Sequence, residues 1–277
     1  MPSPKNMVST TNEMENAVKE LLRRNAANTW FINEYWPENR NRVVQIVSDV
    51  CSRFPVGSSL LDIGCGTGYI SFLFSRLGYS VCATDVWDLP ERDDMFRECN
   101  VDFFSSNLND LDPFKTVRRQ FDVVLMGEVI EHILNCPVDL IKSAAAVARA
   151  GALLILSTPN PATVMNAWRL LRNHYSLWGT RSFIEQPKIK DGRIISDGDI
   201  HYREYSGEEL RWMLETAELS ILEMRYLSIG SSRTQPVWKR LIKNSPVAKA
   251  ILATRLCAPT HYVLAEKKVD RLRRQGG

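Results

Sequence analysis

Leu60-Leu61-Asp62-Ile63-Gly64-Cys65-Gly66-Thr67-Gly68-Tyr69 is the stretch that decides the fold. An apolar run, Leu60–Ile63, ends in a turn with glycine at alternate positions. Beyond the turn, Ile70, Phe72, Leu73, Phe74 and Leu77 recur at helical spacing. A strand that passes through a tight turn into a helix puts that turn at the carboxyl edge of an open α/β sheet, where nucleotide-like ligands sit. Glycine allows the bend and lets a ligand approach backbone that a Cβ would shield. The turn is expected to aim its N–H groups and the positive end of the helix at that ligand.

The spacing then selects among ligands. A dinucleotide fingerprint is G-x-G-x-x-G with an acid about 20 residues on. Here the spacing is G-x-G-x-G, and Tyr69 stands where a third fingerprint glycine would be. A second strand, Ser80–Asp85, ends in an acid whose carboxylate can accept both ribose hydroxyls. Asp62, just before the turn, would repel a pyrophosphate but not a cationic amino-acid moiety. Acid, glycine turn and second acid fit S-adenosylmethionine better than NAD. The plainer alternative is a Rossmann-like glycine turn that binds something else, or nothing.

With these residues in view, the stretch from Leu60 to about Pro161 resembles the class I S-adenosylmethionine-dependent methyltransferases. Leu61–Gly68 matches that family's first motif without a gap. The resemblance implies an α/β fold: a doubly wound, Rossmann-like sheet of seven strands, mostly parallel, with the last antiparallel. It also implies a cofactor set of Asp62, Gly64, Cys65, Gly66, Thr67, Gly68 and Tyr69 from the turn. Asp85, Val86, Asn107, Leu108, Gly127 and Glu128 join them from later strand ends. In the family a polar residue at the end of the third strand meets the adenine amino group. Asn107 has that place, where an acid is more usual.

The 277 residues can bury one good core with decoration. A formal charge of +3 does not suggest nucleic-acid binding. Cysteines at 51, 65, 82, 99, 136 and 257 are scattered, with no C-x-x-C pair, and read as reduced thiols of a cytoplasmic protein. With no apolar h-region near residue 1, no secretory signal is expected, and no apolar run is long enough to span a bilayer.

Residues 1–37 read as an N-terminal helical cap: a polar, frayed start to residue 12, a helix over 13–25, then Trp30, Phe31, Tyr35 and Trp36 up to Pro37. These aromatics either cover the pocket or pack on the sheet edge. Residues 38–277 read as the methyltransferase domain. Its expected helices are 38–54, 90–98, 112–119, Pro137–Ala150 and one from Ser206, with Glu209 closing a capping box. Strands are expected at Val101–Phe104, Phe121–Met126, Ala152–Leu156, Ser220–Ser228 and His261–Glu266. Two insertions interrupt it. Residues 161–205 carry aromatics beside the active edge and read as a lid, or as a decorative hairpin. Residues 236–256 mix apolar and basic residues without an acid, which suits an anionic membrane or a partner or, more plainly, a solvated face over a packed one. The tail from Lys267 to Arg274 is basic and expected to be disordered.

The fourth strand leads into Glu128-Val129-Ile130-Glu131-His132, an E-x-x-E-H pattern. In one reading Glu128, Glu131 and His132 bind a divalent metal, with His201 as fourth ligand. Two carboxylates and two imidazoles suit Mn²⁺, Fe²⁺ or Zn²⁺ better than Mg²⁺. The pattern is similar to that of the O-methyltransferases of ubiquinone biosynthesis and of the enzymes that methylate 2′-hydroxyls at small-RNA 3′ ends. In the other reading no metal binds: Glu131 caps or orients, and His132 or His201 is the general base. Asn160, at the end of the fifth strand, either hydrogen-bonds the acceptor or only ends the strand. The sequence therefore suggests O-methylation of a small molecule, with an RNA 2′-hydroxyl or a non-catalytic cofactor-binding role as alternatives.

Overall fold

The computed structural model describes residues 4–172, 189–190, 193–194, 200–228, 230, 254 and 256–268. About half of the 161–205 connection, nearly all of the 236–256 segment and the tail beyond Lys268 lie outside the described residues.

Seven strands form one sheet: β1 (Ser59–Ile63), β2 (Ser80–Asp85), β3 (Asp102–Ser105), β4 (Phe121–Gly127), β5 (Ala148–Pro159), β6 (Leu219–Leu227) and β7 (Thr260–Lys267). Their order is β3-β2-β1-β4-β5-β7-β6. The first five pair in parallel, and β7 is antiparallel to both β5 and β6. The expected seven strands with an antiparallel last one are thus present. The central strands read as continuous apolar runs because helices cover both faces. On β4, Val123 and Leu125 join one core while Val124 and Met126 join the other, as the two-residue period of a strand requires.

The first core lies under α1 (Pro4–Arg24), α2 (Trp36–Cys51), α3 (Tyr69–Arg76) and α4 (Pro90–Cys99), through Leu21, Ile46, Val50, Phe72 and Phe96. The second lies under α5 (Pro137–Val147) and α7 (Gly207–Thr216), through Ile141, Ala144, Leu210 and Leu214. α6 (Val164–Leu171) belongs to neither. Ser206 caps α7 as expected: its Oγ accepts from Glu209 N, and Glu209 Oε2 accepts from Ser206 N.

Several expectations need correction. The first helix begins at Pro4, so residues 4–12 are helical. Pro37 does not end the aromatic cluster: it sits in the first turn of α2, where a missing N–H costs nothing, after a π-helical turn over Phe31–Tyr35. Residues 112–119 form no helix. Single turns close there, from Lys115 N to Asp112 O and from Val117 N to Phe114 O. α5 stops at Val147, because Ala148 already pairs with Phe121, and β5 runs on through Gly151 at φ +78°. Lys267 is the last residue of β7 rather than the start of the tail.

Among the described residues no helix is long and apolar enough to cross a membrane. All six cysteines are free thiols. The architecture brings the carboxyl ends of β1, β2, β4 and β5 together beneath the start of α2, and the cavity opens there.

Candidate active site

The glycine turn is closed on itself. Gly64 N and Cys65 N both donate to Thr84 O, Gly66 N donates to Asp85 Oδ2 at 2.8 Å, and Gly68 N donates to Cys65 O. The expectation that the turn aims its amides at the ligand is therefore corrected: four of the five from Gly64 to Gly68 are spent inside the protein. A pyrophosphate would want those donors, whereas an adenosyl group carrying a cationic tail does not. Asp85 spends one oxygen on Gly66 N and the other on Trp87 N at 3.0 Å. A carboxylate has about four acceptor positions, so two remain for hydroxyls. A Cβ added at Gly66 would meet nothing within 4 Å, whereas one at Gly64 would strike Val129 and one at Gly68 would strike Phe96. Gly66 thus leaves its side of the cavity open, and Gly68 serves packing rather than the lining. Beneath the turn Arg92 is buried. It donates to Gly66 O and Trp87 O, tying the two loops, and lies 4.0 Å from the Phe103 ring centroid.

The cavity has a volume of about 390 Å³. Cys65, Thr67 and Tyr69 line one side; Asp85, Val86, Asn107 and Leu108 line another; Gly127 and Glu128 line a third. Asn107 Oδ1 already accepts from Asn109 N, so its own loop uses part of the capacity expected for adenine. Asp62 is buried at the base, with Oδ2 accepting from Ser71 Oγ at 2.6 Å. Burial, with the neighbouring Asp85 charge, pushes its carboxyl up to about 7. Burial likewise pushes the Cys65 thiol well up, so it stays protonated.

Arg42 is the functional residue that sequence reasoning missed. It reaches from α2 to the cavity, donates to Ser157 Oγ at 3.2 Å and Asn39 Oδ1 at 2.8 Å, and stands 3.6 Å from Glu128 Oε1. Glu128 itself has φ +59°, an unfavourable conformation for a residue with a Cβ, held by its N–H to Ser157 O. The aromatic cluster divides between its two readings. Tyr35 lines the cavity and packs 5.5 Å from Tyr69, while Phe31 and Trp36 belong to the core.

A second constellation adjoins the cavity. Glu131 is fully buried in a 3₁₀ turn, Ile130–His132. Its Oε2 accepts from Thr158 Oγ1 at 2.8 Å, and its Oε1 has no hydrogen-bond partner. Burial and the Glu128 charge hold its carboxyl well above the usual range. Its main chain does the assembling: Tyr202 N donates to Glu131 O, and His132 Nδ1 bonds Ile200 O at 2.6 Å. Those two bonds dock residues 200–202 and bring His201 to His132, with ring centroids 5.0 Å apart. His201 Nδ1 bonds Glu204 Oε1 at 3.0 Å. One ligand atom each from Glu131, His132 and His201 lies within 4.8 Å of the others. Nδ1 of each imidazole is engaged, and Nε2 of His132 faces Glu131 Oε1 at 3.9 Å; a hydrogen bond at one ring nitrogen fixes the tautomer, as it does in metal-binding histidines.

Of this cluster, His132 lines the cavity and Glu131 and His201 stand behind it. Glu128, expected as a ligand, lies outside the group and faces Arg42 instead. Asn160 also departs from its expected place. It is buried, its Nδ2 donates to Ala258 O at 2.9 Å and its Oδ1 accepts from Ala162 N at 3.0 Å. Both ends of the amide brace the main chain rather than the cavity.

A mostly parallel sheet of this order, with an acid before a closed glycine turn and a second acid at the end of the next strand, is the class I S-adenosylmethionine-dependent methyltransferase fold. Residues 32–224 match the family profile described as a methyltransferase domain, and the chain belongs to that family. It is 28% identical over 175 residues to a ubiquinone biosynthesis O-methyltransferase of Xanthomonas campestris pv. campestris, a match covering 61% of this chain and 65% of that one. The match thus spans just under two thirds of that relative. The magnesium protoporphyrin IX methyltransferase of Synechocystis, solved with bound S-adenosylhomocysteine, superposes with a TM-score of 0.51 at 16% identity, covering 82% of both chains. The 1,6-didemethyltoxoflavin-N1-methyltransferase of Burkholderia thailandensis, bound to its namesake compound and S-adenosylhomocysteine, gives 0.52 at 14% identity, covering 98% of this chain and 92% of that one.

Proposed function

We propose that this protein transfers the methyl group of S-adenosylmethionine to a hydroxyl of a small molecule such as a quinol, polyketide or sugar-like metabolite. The Glu131–His132–His201 cluster, which meets the cavity at His132, carries the reading, because a neutral alcohol is a poor nucleophile and needs a proton acceptor or a cation beside it. The likeness to a relative named for O-methylation in ubiquinone biosynthesis supports an oxygen acceptor.

The cofactor, when bound, supplies a methyl group on a sulfonium that is open to in-line attack. Asp85 offers its remaining lone pairs to ribose hydroxyls, and Arg42 faces a carboxylate. Asp62 and Glu128 supply the negative charge that an ammonium group needs. His132 Nε2, at the cavity wall, accepts the hydroxyl proton, and His132 is kept in that tautomer by Ile200 O. Holding acceptor and methyl group in line can lower the barrier by several kcal/mol, roughly 7–11 at best.

The same three residues fit a divalent cation: a buried carboxylate oxygen without a hydrogen bond, 3.9 Å from His132 Nε2, and two imidazoles fixed through Nδ1. Two nitrogens and one oxygen suit Mn²⁺, Fe²⁺ or Zn²⁺ better than Mg²⁺, and such an ion would lower the acceptor hydroxyl's pKa. The test is single-turnover transfer to a panel of catechols, hydroquinones and sugars, before and after EDTA and with each metal restored. A product methylated on oxygen is expected. Protein that binds S-adenosylhomocysteine yet methylates only nitrogen or carbon acceptors would overturn the oxygen reading. Full activity with no metal detectable by elemental analysis would leave His132 as base without a cation.

A further inference from the structure

Beyond the Ile130–His132 turn the chain has little to pack on. Ile133 is buried and lines the cavity, with its backbone extended at φ −86°, ψ 124°. Leu134, Asn135 and Cys136 are all exposed, and Pro137 then opens α5. A segment with few buried apolar contacts takes its order from hydrogen bonds, or has little. Here one residue on another side of the cavity supplies them. Asn109 Oδ1 accepts from Leu134 N at 2.8 Å and from Asn135 N at 3.4 Å, and Asn109 O accepts from Asn135 Nδ2. The amide oxygen does for this strap what a neighbouring strand's carbonyl does inside a sheet.

Asn109 is held in turn from the cofactor's side of the cavity. Ser106 N donates to Asp85 O at 3.0 Å, so the loop after β3 starts beside the acid offered to ribose. Asn107 Oδ1 accepts from Asn109 N, and Asn107 O accepts from Asp110 N, which folds the loop back on itself. Asn107, Leu108 and Asn109 all line the cavity, as do Asp85 and Val86. An adenosyl group whose ribose meets Asp85 therefore reaches this loop. The His132 turn is thus held from two directions, by residues 200–202 and by Asn109.

We propose that Asn109 is a positioning residue: it carries order from the bound cofactor to the strap that sets His132 and Ile133. With the cofactor seated on residues 107–109, that loop loses motion, and the amides of Leu134 and Asn135 stay on Asn109 Oδ1. A ligand that binds the ordered loop better than the loosened one stabilises the strap through the same coupling. The acceptor then meets a wall already in place and does not bear the cost of ordering it. The gain for turnover rests on the role proposed for His132; the tie itself is read without any acceptor.

The experiment is hydrogen–deuterium exchange of the full chain, read by mass spectrometry on peptides spanning residues 128–136, with and without S-adenosylhomocysteine. In the wild type the ligand is expected to slow exchange of the Leu134 and Asn135 amides by about tenfold. Asn109→Ala should remove that slowing while calorimetry still shows S-adenosylhomocysteine bound. Asn109→Asp keeps an oxygen for the two amides and should restore the slowing, which a general loss of folding would not allow. No slowing in the wild type, equal slowing in Asn109→Ala, or none in Asn109→Asp would each overturn the proposal. An Asn109→Ala variant that no longer binds S-adenosylhomocysteine would make Asn109 a cofactor contact and overturn the tie. A wild type that slows as expected yet methylates no hydroxyl would uphold the tie and overturn only the oxygen reading.

Discussion

The two walls of the cavity are made by different means. The cofactor wall is local: the amides of Gly64–Gly68 close on Thr84 O, Cys65 O and the Asp85 carboxylate within a single β-α-β unit. The wall proposed for the acceptor is lined by His132 and backed by Glu131 after β4, Thr158 at the end of β5, and His201 ahead of α7, joined by the docking of residues 200–202 on the main chain of Glu131. The first wall exists once the sheet forms. The second exists only when a distant segment arrives. Damage to one should therefore spare the other.

The largest effect belongs to the acceptor wall. His132→Ala and His201→Ala should each cut turnover by about 10²–10⁴-fold, the range for loss of an acid–base group, while S-adenosylhomocysteine affinity by calorimetry stays within about twofold. Equal turnover in either variant would remove that imidazole from the chemistry. A parallel collapse of cofactor affinity would show the walls to be one unit, and the comparison would break.

The reciprocal change is Asp85→Ala. It removes the acceptor of Gly66 N and Trp87 N together with the lone pairs offered to ribose. Hydrogen bonds to a charged group are worth about 1.5–3 kcal/mol each, so affinity for S-adenosylhomocysteine should fall by roughly a hundredfold. Calorimetric affinity unchanged by this substitution would remove the cofactor reading altogether. A Glu131→Gln variant should leave that affinity intact.

A smaller effect should follow pH. Ligand-free, Asp62 titrates at about 7 because it is buried, with Asp85 adding to the shift and Ser71 and Arg42 opposing it. The native state therefore holds a proton that the unfolded state has released, and Asp62 lowers stability progressively as pH rises from its ordinary 3.8 to about 7. A bound ammonium group favours the ionised form, so below pH 7 the cofactor must displace that proton. Affinity should fall severalfold from pH 8 to pH 6, at most about tenfold per pH unit. Asp62→Asn should flatten this dependence. An unchanged slope in that variant would place the proton elsewhere.

This contrast also explains what the sequence could tell. Gly64, Gly66, Gly68 and Asp85 are legible because spacing along one β-α-β unit fixes their geometry. The E-x-x-E-H pattern is legible as a cluster, since it spans a single turn. Arg42 is not: at the end of the polar run Asn39-Arg40-Asn41-Arg42 on an amphipathic helix it looks like a solvated cation, and only its reach to Ser157 and Glu128 reveals its place. Glu204, which holds His201, carries no signal beyond its spacing of three residues. The amides of the turn were misread because nothing in the glycine pattern says that Thr84 O and Asp85 would take them.

Asn160 sharpens the comparison with the smallest effect. A polar side chain at a strand's carboxyl end can serve a ligand or the backbone, and sequence cannot choose. The structure gives its amide two main-chain partners, Ala258 O and Ala162 N, both away from the cavity lining. Asn160→Ala should then lower stability by about 1–3 kcal/mol, the cost of leaving buried backbone groups unpaired. At a temperature where the variant is folded, its turnover should match the wild type. Thermal melts beside single-turnover rates separate the two roles. If the rate falls while the melting temperature holds, Asn160 belongs to the acceptor wall, and that wall extends further along β5 than Thr158.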